Sequence, residues 1–289
     1  MITLENSKLI VTAKEVGAEL TRIYDKEHQR ECLWNGNPEF WRQQAPTLFP
    51  VVGRCKNYEY RYKGQTYHMG QHGFVREATF EVESQSAEQV VFVYRANEET
   101  RKDYPFEFTF KITYTLKDDA VETAYTVINE SNSEPMYFSI GGHPGFLFDG
   151  PIGEQILTFS EKENIDRVLL SPAMQFSRDV EKDYVKNGEP IALYEGIFVN
   201  DALVFHGFKS NKIGLLNHKT GRGVEMDLTG FPYVGIWAAD KVGCPYACIE
   251  PWFGLADYDD FEGELPEKDG IEKLEASGVF NCAFTVKVL

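Results

Sequence analysis

The sequence predicts an all-β protein, an antiparallel β-sandwich with few short helices. Apolar and polar residues alternate along most apolar segments, which is the period of a half-buried strand. Aromatic residues make up 14% of the 289 residues, and such side chains favour the pleated surface of a sheet. No linker rich in Ser, Gly or Pro divides the chain, and no internal repeat is visible. We therefore expect a single β-sandwich domain over residues 1–289, with a concave sheet that offers a cleft.

The clearest strands form a hairpin before the middle of the chain. In PFEFTFKITYTL, the even-numbered residues from Phe106 to Leu116 are apolar and the odd-numbered residues between them are polar. The following AVETAYTVINE alternates in the same way, so the two runs predict a β-hairpin. Further strands are predicted at 8–12, 18–24, 59–63, 90–95, 156–160, 202–206, 212–217, 222–228, 233–238, 246–250 and 280–288. Short helices are predicted at 38–44, before Pro46, and at 267–275.

The charge and the chain termini disfavour several classes of protein. The formal net charge of −16 repels a phosphate backbone and an anionic membrane, whereas a neutral small molecule meets no such repulsion. The N-terminus lacks the basic and apolar regions of a signal peptide, and no apolar run approaches the ~20 residues of a membrane span. We expect a soluble cytoplasmic protein whose partner is neither nucleic acid nor membrane.

The histidines and cysteines do not predict a metal site. The five cysteines have no close framework and are expected to be free thiols or small buried apolar groups. Cys244 and Cys248 are four residues apart, but Cys248 lies in an apolar run without a second pair nearby. His68 and His72 would share one face of a strand at a large separation, and no carboxylate completes a ligand set.

Four short segments with apolar frames present polar groups suited to chemistry. They are FPVVGRCKNYEY with Arg54, MGQHGFVRE with His72 and Arg76, IGGHPGF with His143, and CIEPWFG with Glu250. The sequence contains no nucleophile elbow, P-loop or dinucleotide-binding glycine motif. A set of glutamate, histidine, arginine and aromatic side chains suits proton transfer on a polyol.

Glu250 and His143 each allow a catalytic and a structural interpretation. A strand that ends in Cys-Ile-Glu-Pro-Trp aims the Glu250 carboxylate out of an apolar setting, where desolvation would raise its pKa and make it a better base. The alternative is an ion pair with Arg54 or Arg76 that only stabilises the fold. Glycines frame His143 and would leave room for a ligand beside the imidazole, while Pro144 stiffens the turn. The alternative is a core histidine bonded to a backbone carbonyl.

The chain resembles the aldose 1-epimerase (galactose mutarotase) superfamily, and within it the LacX-type branch. The resemblance rests on FPVVGR at 49–54, HGFVR at 72–76, IGGHPGF at 140–146, FPYVGIWA at 231–238 and CIEPWFGLAD at 248–257. The stretch GAELTRIYDKEHQRECLW also resembles the N-terminal hairpin of the family. The resemblance implies a galactose-mutarotase-like β-supersandwich and the cofactor-free interconversion of the α and β anomers of a hexose.

The resemblance also implies a role for individual residues. Glu250 matches the general base that removes the proton of the anomeric hydroxyl O1, and His143 matches the general acid that protonates the ring oxygen O5. The residues expected to bind the sugar are Arg54, His72, Arg76, Asp201 and Trp237. A small-molecule sugar is the implied partner, neither cofactor nor metal is implied, and a homodimer is left open.

Three other functions stay open on the sequence. The hexose-6-phosphate mutarotases share the HGF-x-R pattern, and Arg54, Lys56 and Arg76 are available for a phosphate in the same way. A non-catalytic carbohydrate-binding protein on the same fold is the second alternative. A glycoside hydrolase that pairs Glu250 with Asp201 or Asp227 is the third, since such enzymes use two carboxylates across the scissile bond. The segment around His143 lacks the Asn-His-x-x-Phe-Asn-Leu pattern of the better-known galactose mutarotases, so their sugar specificity is not carried over.

Overall fold

The computed structural model describes residues 1–171, 173 and 175–289. Over these residues the chain forms twenty-five strands and one short α-helix, α1 (Thr100–Asp103), with 3-10 turns at Lys56–Tyr58, Val75–Glu77, Ile152–Glu154 and Leu265–Glu267. The strands are β1 (Ile2–Glu5), β2 (Leu9–Ala13), β3 (Leu20–Asp25), β4 (Arg30–Glu31), β5 (Thr47–Leu48), β6 (Glu59–Tyr62), β7 (Gln65–His68), β8 (Glu81–Gln85), β9 (Gln89–Arg95), β10 (Phe108–Lys117), β11 (Ala120–Asn129), β12 (Met136–Phe138), β13 (Ile140–Gly142), β14 (Gly145–Leu147), β15 (Gln155–Phe159), β16 (Ile165–Leu170), β17 (Phe176–Val185), β18 (Ile191–Ala192), β19 (Leu203–His206), β20 (Lys212–Asn217), β21 (Gly223–Asp227), β22 (Tyr233–Trp237), β23 (Tyr246–Phe253), β24 (Glu272–Leu274) and β25 (Val279–Val288).

Two large antiparallel sheets dominate the structure, as the sequence predicts. The first has the strand order β18-β15-β20-β21-β25-β11-β10-β9-β8. The second has the order β17-β16-β19-β22-β23-β13-β5, and β14 also pairs with β23. Smaller sheets are formed by β1 to β4, by β12 with β24 and by β6 with β7. The all-β prediction is therefore confirmed.

The predicted hairpin is confirmed in position and in orientation. Strands β10 and β11 pair from Phe108 opposite Asn129 to Lys117 opposite Ala120. Phe110 and Ile112 are fully buried, which is the outcome that the period-two pattern predicts. The Phe49 ring stacks on Phe110 with 4.8 Å between centroids. This contact fixes the first sheet against the segment that leads to Arg54.

The helix predicted at 38–44 is wrong. The N–H groups of Phe40 and Trp41 both donate to the Asn37 carbonyl oxygen, and this closes a turn that does not continue. Farther along, the N–H of Gln44 is taken by the buried Glu19 carboxylate at 2.7 Å. Tertiary hydrogen bonds thus satisfy the backbone groups that a helix would have used.

The helix predicted at 267–275 is also wrong. The 3-10 turn of Leu265–Glu267 precedes Gly270, whose φ of +70° is a left-handed conformation that ends helical geometry. The chain then becomes extended, and β24 pairs with β12 from Leu274 opposite Met136 to Glu272 opposite Phe138. The helical pattern of this segment was too short to outweigh the strand partner.

A buried ion pair in the segment after β23 fixes Asp257, which is hydrogen-bonded to the segment around Arg54. Lys268 and Asp257 pair with side chains that are 3% and 4% exposed. Asp257 Oδ2 also accepts the N–H of Lys56 at 2.7 Å, and the Asp257 N–H donates to the Arg54 carbonyl oxygen at 3.0 Å. A single carboxylate therefore holds the backbone that presents Arg54.

Two further expectations can be compared with the structure. The five cysteines are unbonded, and all except the half-buried Cys282 are buried, as expected for free thiols. Within the described residues, no helix has both the length and the apolar character needed to cross a membrane.

Candidate active site

One cavity of about 380 Å³ brings the predicted site residues together. Its walls come from the second sheet and from the segments around Trp41, Gly53 and His72. The seven predicted catalytic and binding residues all line it: Arg54, His72, Arg76, His143, Asp201, Trp237 and Glu250. Five large polar or aromatic residues that the sequence did not single out line it as well: Trp41, Gln43, Gln71, Phe176 and Trp252.

Glu250 lies inside a strand, whereas the sequence predicted that the strand ends there. Strand β23 continues to Phe253, and Glu250 pairs with Gly235 of β22. Pro251 is tolerated inside the strand because its nitrogen, which carries no hydrogen, faces the gap between β13 and β14. The N–H of Ile249 points to the same side and donates to the Pro144 carbonyl oxygen. The strand places the Glu250 side chain on the cavity floor.

His143 lies opposite β23, in the gap between the short strands β13 and β14. Strand β13 ends at Gly142 and β14 begins at Gly145, so the intervening residues are released from the ladder. The His143 N–H donates to the Pro46 carbonyl oxygen at 3.0 Å, and this bond anchors the residues between β13 and β14. The imidazole then faces the floor, where His143 Nε2 is 3.2 Å from Glu250 Oε1.

This contact bears on the structural alternatives left open by the sequence. Among the described residues Glu250 contacts His143, and neither Arg54 nor Arg76 forms an ion pair with it. His143 is not a core histidine bonded to a carbonyl, because its buried Nδ1 has no hydrogen-bond partner. The two groups therefore face each other across one short gap at the cavity floor.

Burial shifts the pKa values of the two groups in opposite directions. Desolvation raises the pKa of Glu250 well above its usual range, and the negative charge of Asp201 raises it further. Desolvation lowers the pKa of His143. The interaction of the ring with the backbone of His143 opposes this shift, and the positive charge of Arg76 reinforces it. Both shifts disfavour the charged forms while the cavity contains no ligand.

The glycines before His143 serve the packing of the floor and do not make room beside the imidazole. A Cβ on Gly141 would lie 2.5 Å from Trp252 Cδ1, and a Cβ on Gly142 would lie 2.9 Å from the Phe284 ring. Gly235 is restricted in the same way, because its Cβ would lie 2.4 Å from Trp252 Cη2. Gly141 and Gly235 thus seat the Trp252 indole between them.

His72 owes its position to two consecutive left-handed residues. His72 has φ +64° and Gly73 has φ +74°, and a Cβ on Gly73 would lie 2.1 Å from the Phe49 carbonyl oxygen. His72 Nδ1 accepts the N–H of Gly53 at 3.1 Å, which assigns the proton of the neutral ring to Nε2. Burial lowers the pKa of His72, and the charges of His143, Arg76 and Arg54 lower it further. His72 is therefore neutral, and its Nε2 lies 3.3 Å from Gln71 Nε2.

Arg54 and Arg76 have neutral partners. Arg54 donates to Gln71 Oε1 at 3.1 Å and Arg76 to Gln43 Oε1 at 3.4 Å. The Nε of each is buried without a hydrogen-bond partner. Neither guanidinium forms an ion pair with any carboxylate in the described part of the chain, in a protein with 45 acidic residues. Within the described residues, the cavity therefore presents two guanidinium groups that have no carboxylate within ion-pair distance.

The other predicted groups have mixed outcomes. Asp201 sits at φ +69°, accepts the N–H of Ala202 at 2.9 Å, and has its pKa raised by burial. Lys56 is paired with Glu262 and is not among the residues that line the cavity. Asp227, the other carboxylate considered for a hydrolase, lies in β21 of the first sheet and also does not line it.

An aromatic wall lies against His143, and the sequence predicted only one of its two tryptophans, Trp237. The Trp41 ring lies 4.8 Å from the imidazole, tilted by 32°, and Trp237 meets the same ring edge-on at 5.6 Å. Trp41 was overlooked because its segment was assigned to a helix. Its neighbours give a weak signal, since the WRQQ sequence combines an indole with polar side chains and ends before Pro46.

The comparisons with known proteins identify the family and the fold of the chain. A family model described as aldose 1-epimerase matches residues 1–260. The chromosomal protein LacX of Lactococcus lactis subsp. lactis is 31% identical over 299 residues, which cover 100% of this chain and 99% of that protein. A galactose mutarotase related enzyme from Lactobacillus acidophilus has 36% identity and a TM-score of 0.93, covering 100% of this chain and 97% of its own. A galactose mutarotase-like protein from Lactobacillus casei has 31% identity and a TM-score of 0.94, with both chains covered fully.

Proposed function

Because the chain belongs to the aldose 1-epimerase family, we propose that it is a mutarotase that interconverts the α and β anomers of an aldose. The observation that carries the proposal is the 3.2 Å separation of His143 Nε2 and Glu250 Oε1 on the floor of the cavity. The oxygens O1 and O5 of an aldose share one carbon. A proton acceptor and a proton donor this close together can serve both oxygens of one sugar.

The proposed reaction consists of balanced proton transfers. Glu250 takes the proton of the O1 hydroxyl while His143 gives its proton to O5, and the C1–O5 bond breaks to leave an open-chain aldehyde. Rotation about C1–C2 turns the other face of the carbonyl toward the O5 hydroxyl. Ring closure then returns a proton from O5 to His143 and from Glu250 to O1, so each group ends as it began.

The pKa directions make each group stronger in its role but reduce the population of the charge state that the role requires. A raised pKa makes the Glu250 carboxylate a stronger base near neutral pH, and a lowered pKa makes the His143 imidazolium a stronger acid. Burial disfavours this ionised pair in a cavity without ligand. Sugar hydroxyl groups that hydrogen-bond to the carboxylate and the imidazolium replace the lost water and favour the ionised form on binding.

The remaining groups of the cavity suit sugar binding. His72 offers the Nε2–H of a neutral ring, Asp201 offers a carboxylate, and Arg54 offers guanidinium N–H groups. Trp41 and Trp237 provide indole surface on which the C–H face of a sugar packs. Mixed donors, acceptors and aromatic surface distinguish sugar sites from wholly apolar pockets.

Anomer exchange measured by polarimetry or NMR tests the proposal. Wild-type protein is expected to accelerate exchange of glucose, galactose or their 6-phosphates, and Glu250→Gln to abolish the acceleration. Sugar binding without acceleration would leave a carbohydrate-binding protein in place of an enzyme. Cleavage of a glycoside would instead indicate a hydrolase that uses Glu250 with Asp201.

The free guanidinium groups favour a second candidate, a mutarotase for hexose 6-phosphates with the same mechanism. Two cavity arginines that lack carboxylate partners suit a phosphate, which arginine binds through two parallel hydrogen bonds. For such a substrate, Arg76→Gln is expected to raise KM for the 6-phosphate at least tenfold and to leave KM for the free sugar unchanged. An equal change for both sugars would assign Arg76 to structure.

A further inference from the structure

A cysteine thiol lies beside the proposed acid–base pair and has no role in the reaction above. Cys248 precedes Glu250 by two residues on β23, and alternate residues of a strand share one face. Gly145 of β14 pairs with Cys248, which brings the chain just after His143 over the same position. One ligand atom from each of His143, Cys248 and Glu250 lies within 4.8 Å of the other two.

These three groups are the donor types that zinc takes in proteins, namely imidazole nitrogen, thiolate sulfur and carboxylate oxygen. Three protein ligands with a fourth position open to a cavity is the arrangement of catalytic zinc sites. His143 and Glu250 line the cavity, and His143 Nδ1 is buried without a partner. His143, Cys248 and Glu250 are 8%, 0% and 2% exposed, so their surroundings are largely dry.

Charge balance favours a divalent cation at this position. One thiolate and one carboxylate neutralise Zn²⁺, so the bound unit carries no net charge into a buried setting. A coordinating thiol is deprotonated outright by the ion. On binding, Cys248 and a protonated Glu250 therefore release their protons to the solvent, and His143 binds through a ring nitrogen that carries none.

We propose that His143, Cys248 and Glu250 form a binding site for a thiophilic divalent cation such as Zn²⁺, and that the ion inhibits the protein when bound. Inhibition follows because the ion occupies the carboxylate and the imidazole that exchange protons with O1 and O5; this half rests on the proposed mutarotase function. Binding of the ion does not depend on that function. In this proposal the ion acts as a regulator and takes no part in the proton transfers.

Two features of the structure limit the affinity. Tetrahedral bonds of about 2.0–2.3 Å place zinc ligand atoms roughly 3.3–3.8 Å apart, so separations near the 4.8 Å limit have to close by about an ångström. The unpaired charges of Arg54 and Arg76 face the same cavity and repel a cation. We therefore expect reversible binding, weaker than that of structural zinc sites and removable by EDTA.

The test compares wild-type protein with Cys248→Ala, because Cys248 is not among the cavity-lining residues and takes no part in proton transfer. After EDTA treatment, equilibrium dialysis against Zn²⁺ should show one ion bound per wild-type chain and at least tenfold weaker binding by the variant. Co²⁺ in place of Zn²⁺ should give the thiolate-to-cobalt charge-transfer absorption in wild-type protein and not in Cys248→Ala. In the anomer-exchange assay, half-inhibition of the variant should need at least tenfold more Zn²⁺.

Cys32→Ala is the matched control, since Cys32 is also a buried free thiol but lies outside the triad. Equal Zn²⁺ affinity in wild type and Cys248→Ala, or a wild-type Co²⁺ spectrum without a thiolate band, would overturn the proposal. The cobalt spectrum of the wild type decides even where the variant fails to fold. If no sugar shows accelerated exchange, dialysis and the spectrum still test the site, so its failure is distinct from failure of the mutarotase function.

Discussion

Replacement of Glu250 by glutamine should remove activity and stabilise the fold at the same time. Glutamine keeps the size of the side chain but cannot accept the O1 proton, so we expect kcat to fall by roughly 10²–10⁴-fold, the usual contribution of a general acid or base. Glu250 is 2% exposed and its pKa is raised by burial and by Asp201. Removing an ionisable group from that position relieves a cost that the wild type carries.

The sign and size of the stability gain follow from proton linkage. An unfolded glutamate has a pKa of about 4.3, and the folded value of Glu250 is higher. Between the two values the folded state holds a proton that the unfolded state has lost, so wild-type stability falls as pH rises, by about 1.4 kcal/mol per pH unit. Glu250→Gln lacks this loss. Its advantage should therefore be absent below pH ~4, grow through the window above ~4.3, and level off above the folded pKa.

Thermal unfolding of EDTA-treated protein between pH 5 and pH 8 measures the effect. A gain of 1 kcal/mol corresponds to about 2 °C in Tm for a chain of this size, so the advantage of Glu250→Gln should increase by several degrees over the range. Glu19→Gln is the matched control. Glu19 is 3% exposed but accepts the N–H groups of Gln44 and Ala45 and pairs with Lys14, so its replacement should lower Tm.

Two outcomes would refute the reasoning. A Tm difference between Glu250→Gln and wild type that is the same at pH 5 and pH 8 would mean that Glu250 has an ordinary pKa in the folded protein. A lower Tm for Glu250→Gln at pH 8 would mean that the contact with His143 stabilises the fold by more than burial of the carboxylate costs.

Two further substitutions test how the floor and the rim of the cavity are held. Gly235→Ala places a Cβ 2.4 Å from Trp252 Cη2, so the indole must move, and kcat/KM should fall by roughly tenfold to a hundredfold. The control Gly153→Ala, whose Cβ meets no atom within 4 Å, should leave kcat/KM unchanged. Equal kcat/KM values for the two variants would contradict the role of Gly235 in seating the Trp252 indole. Lys268→Met leaves the buried carboxylate of Asp257 without its partner and should reduce the free energy of unfolding by about 3–5 kcal/mol in a denaturant titration, whereas a loss below about 1 kcal/mol would show that the carboxylate is not confined by this ion pair.

Much of the fold follows from side-chain alternation. The run from Phe106 to Leu116 repeats the strand period over its whole length, and the structure pairs β10 with β11 as the predicted hairpin. Short strands such as β13 and β14 were not predicted, because three residues cannot display a period. The segment at 38–44 failed for a different reason. Its backbone is held by Asn37 and Glu19, and no local pattern reveals a partner that is distant in sequence.

The candidate site shows a similar division. Glu250 and His143 were singled out from their apolar and glycine-rich frames, and the structure places them 3.2 Å apart. The purpose of the glycines was misjudged, since Gly141 makes room for Trp252 and not for a ligand. A glycine in the sequence indicates that another group packs closely against the backbone, but it does not identify that group. Only the register of β13 against β23 identifies the neighbour.

In the part of the chain that the structure describes, the cavity holds arginine and acidic side chains close together without ion pairs between them. Arg54 and Arg76 are held by the amides of Gln71 and Gln43, while Glu250 turns toward His143. In the described residues no arginine of the cavity reaches a carboxylate, although pairing would lower the cost of burying both. Neutral amides fix the direction of each guanidinium while leaving its charge available to a ligand. The stabilisation that such ion pairs would have given to the fold is therefore regained only when a polar ligand binds to these groups. For this reason substitutions that neutralise a cavity charge should stabilise the protein and weaken its interaction with sugar.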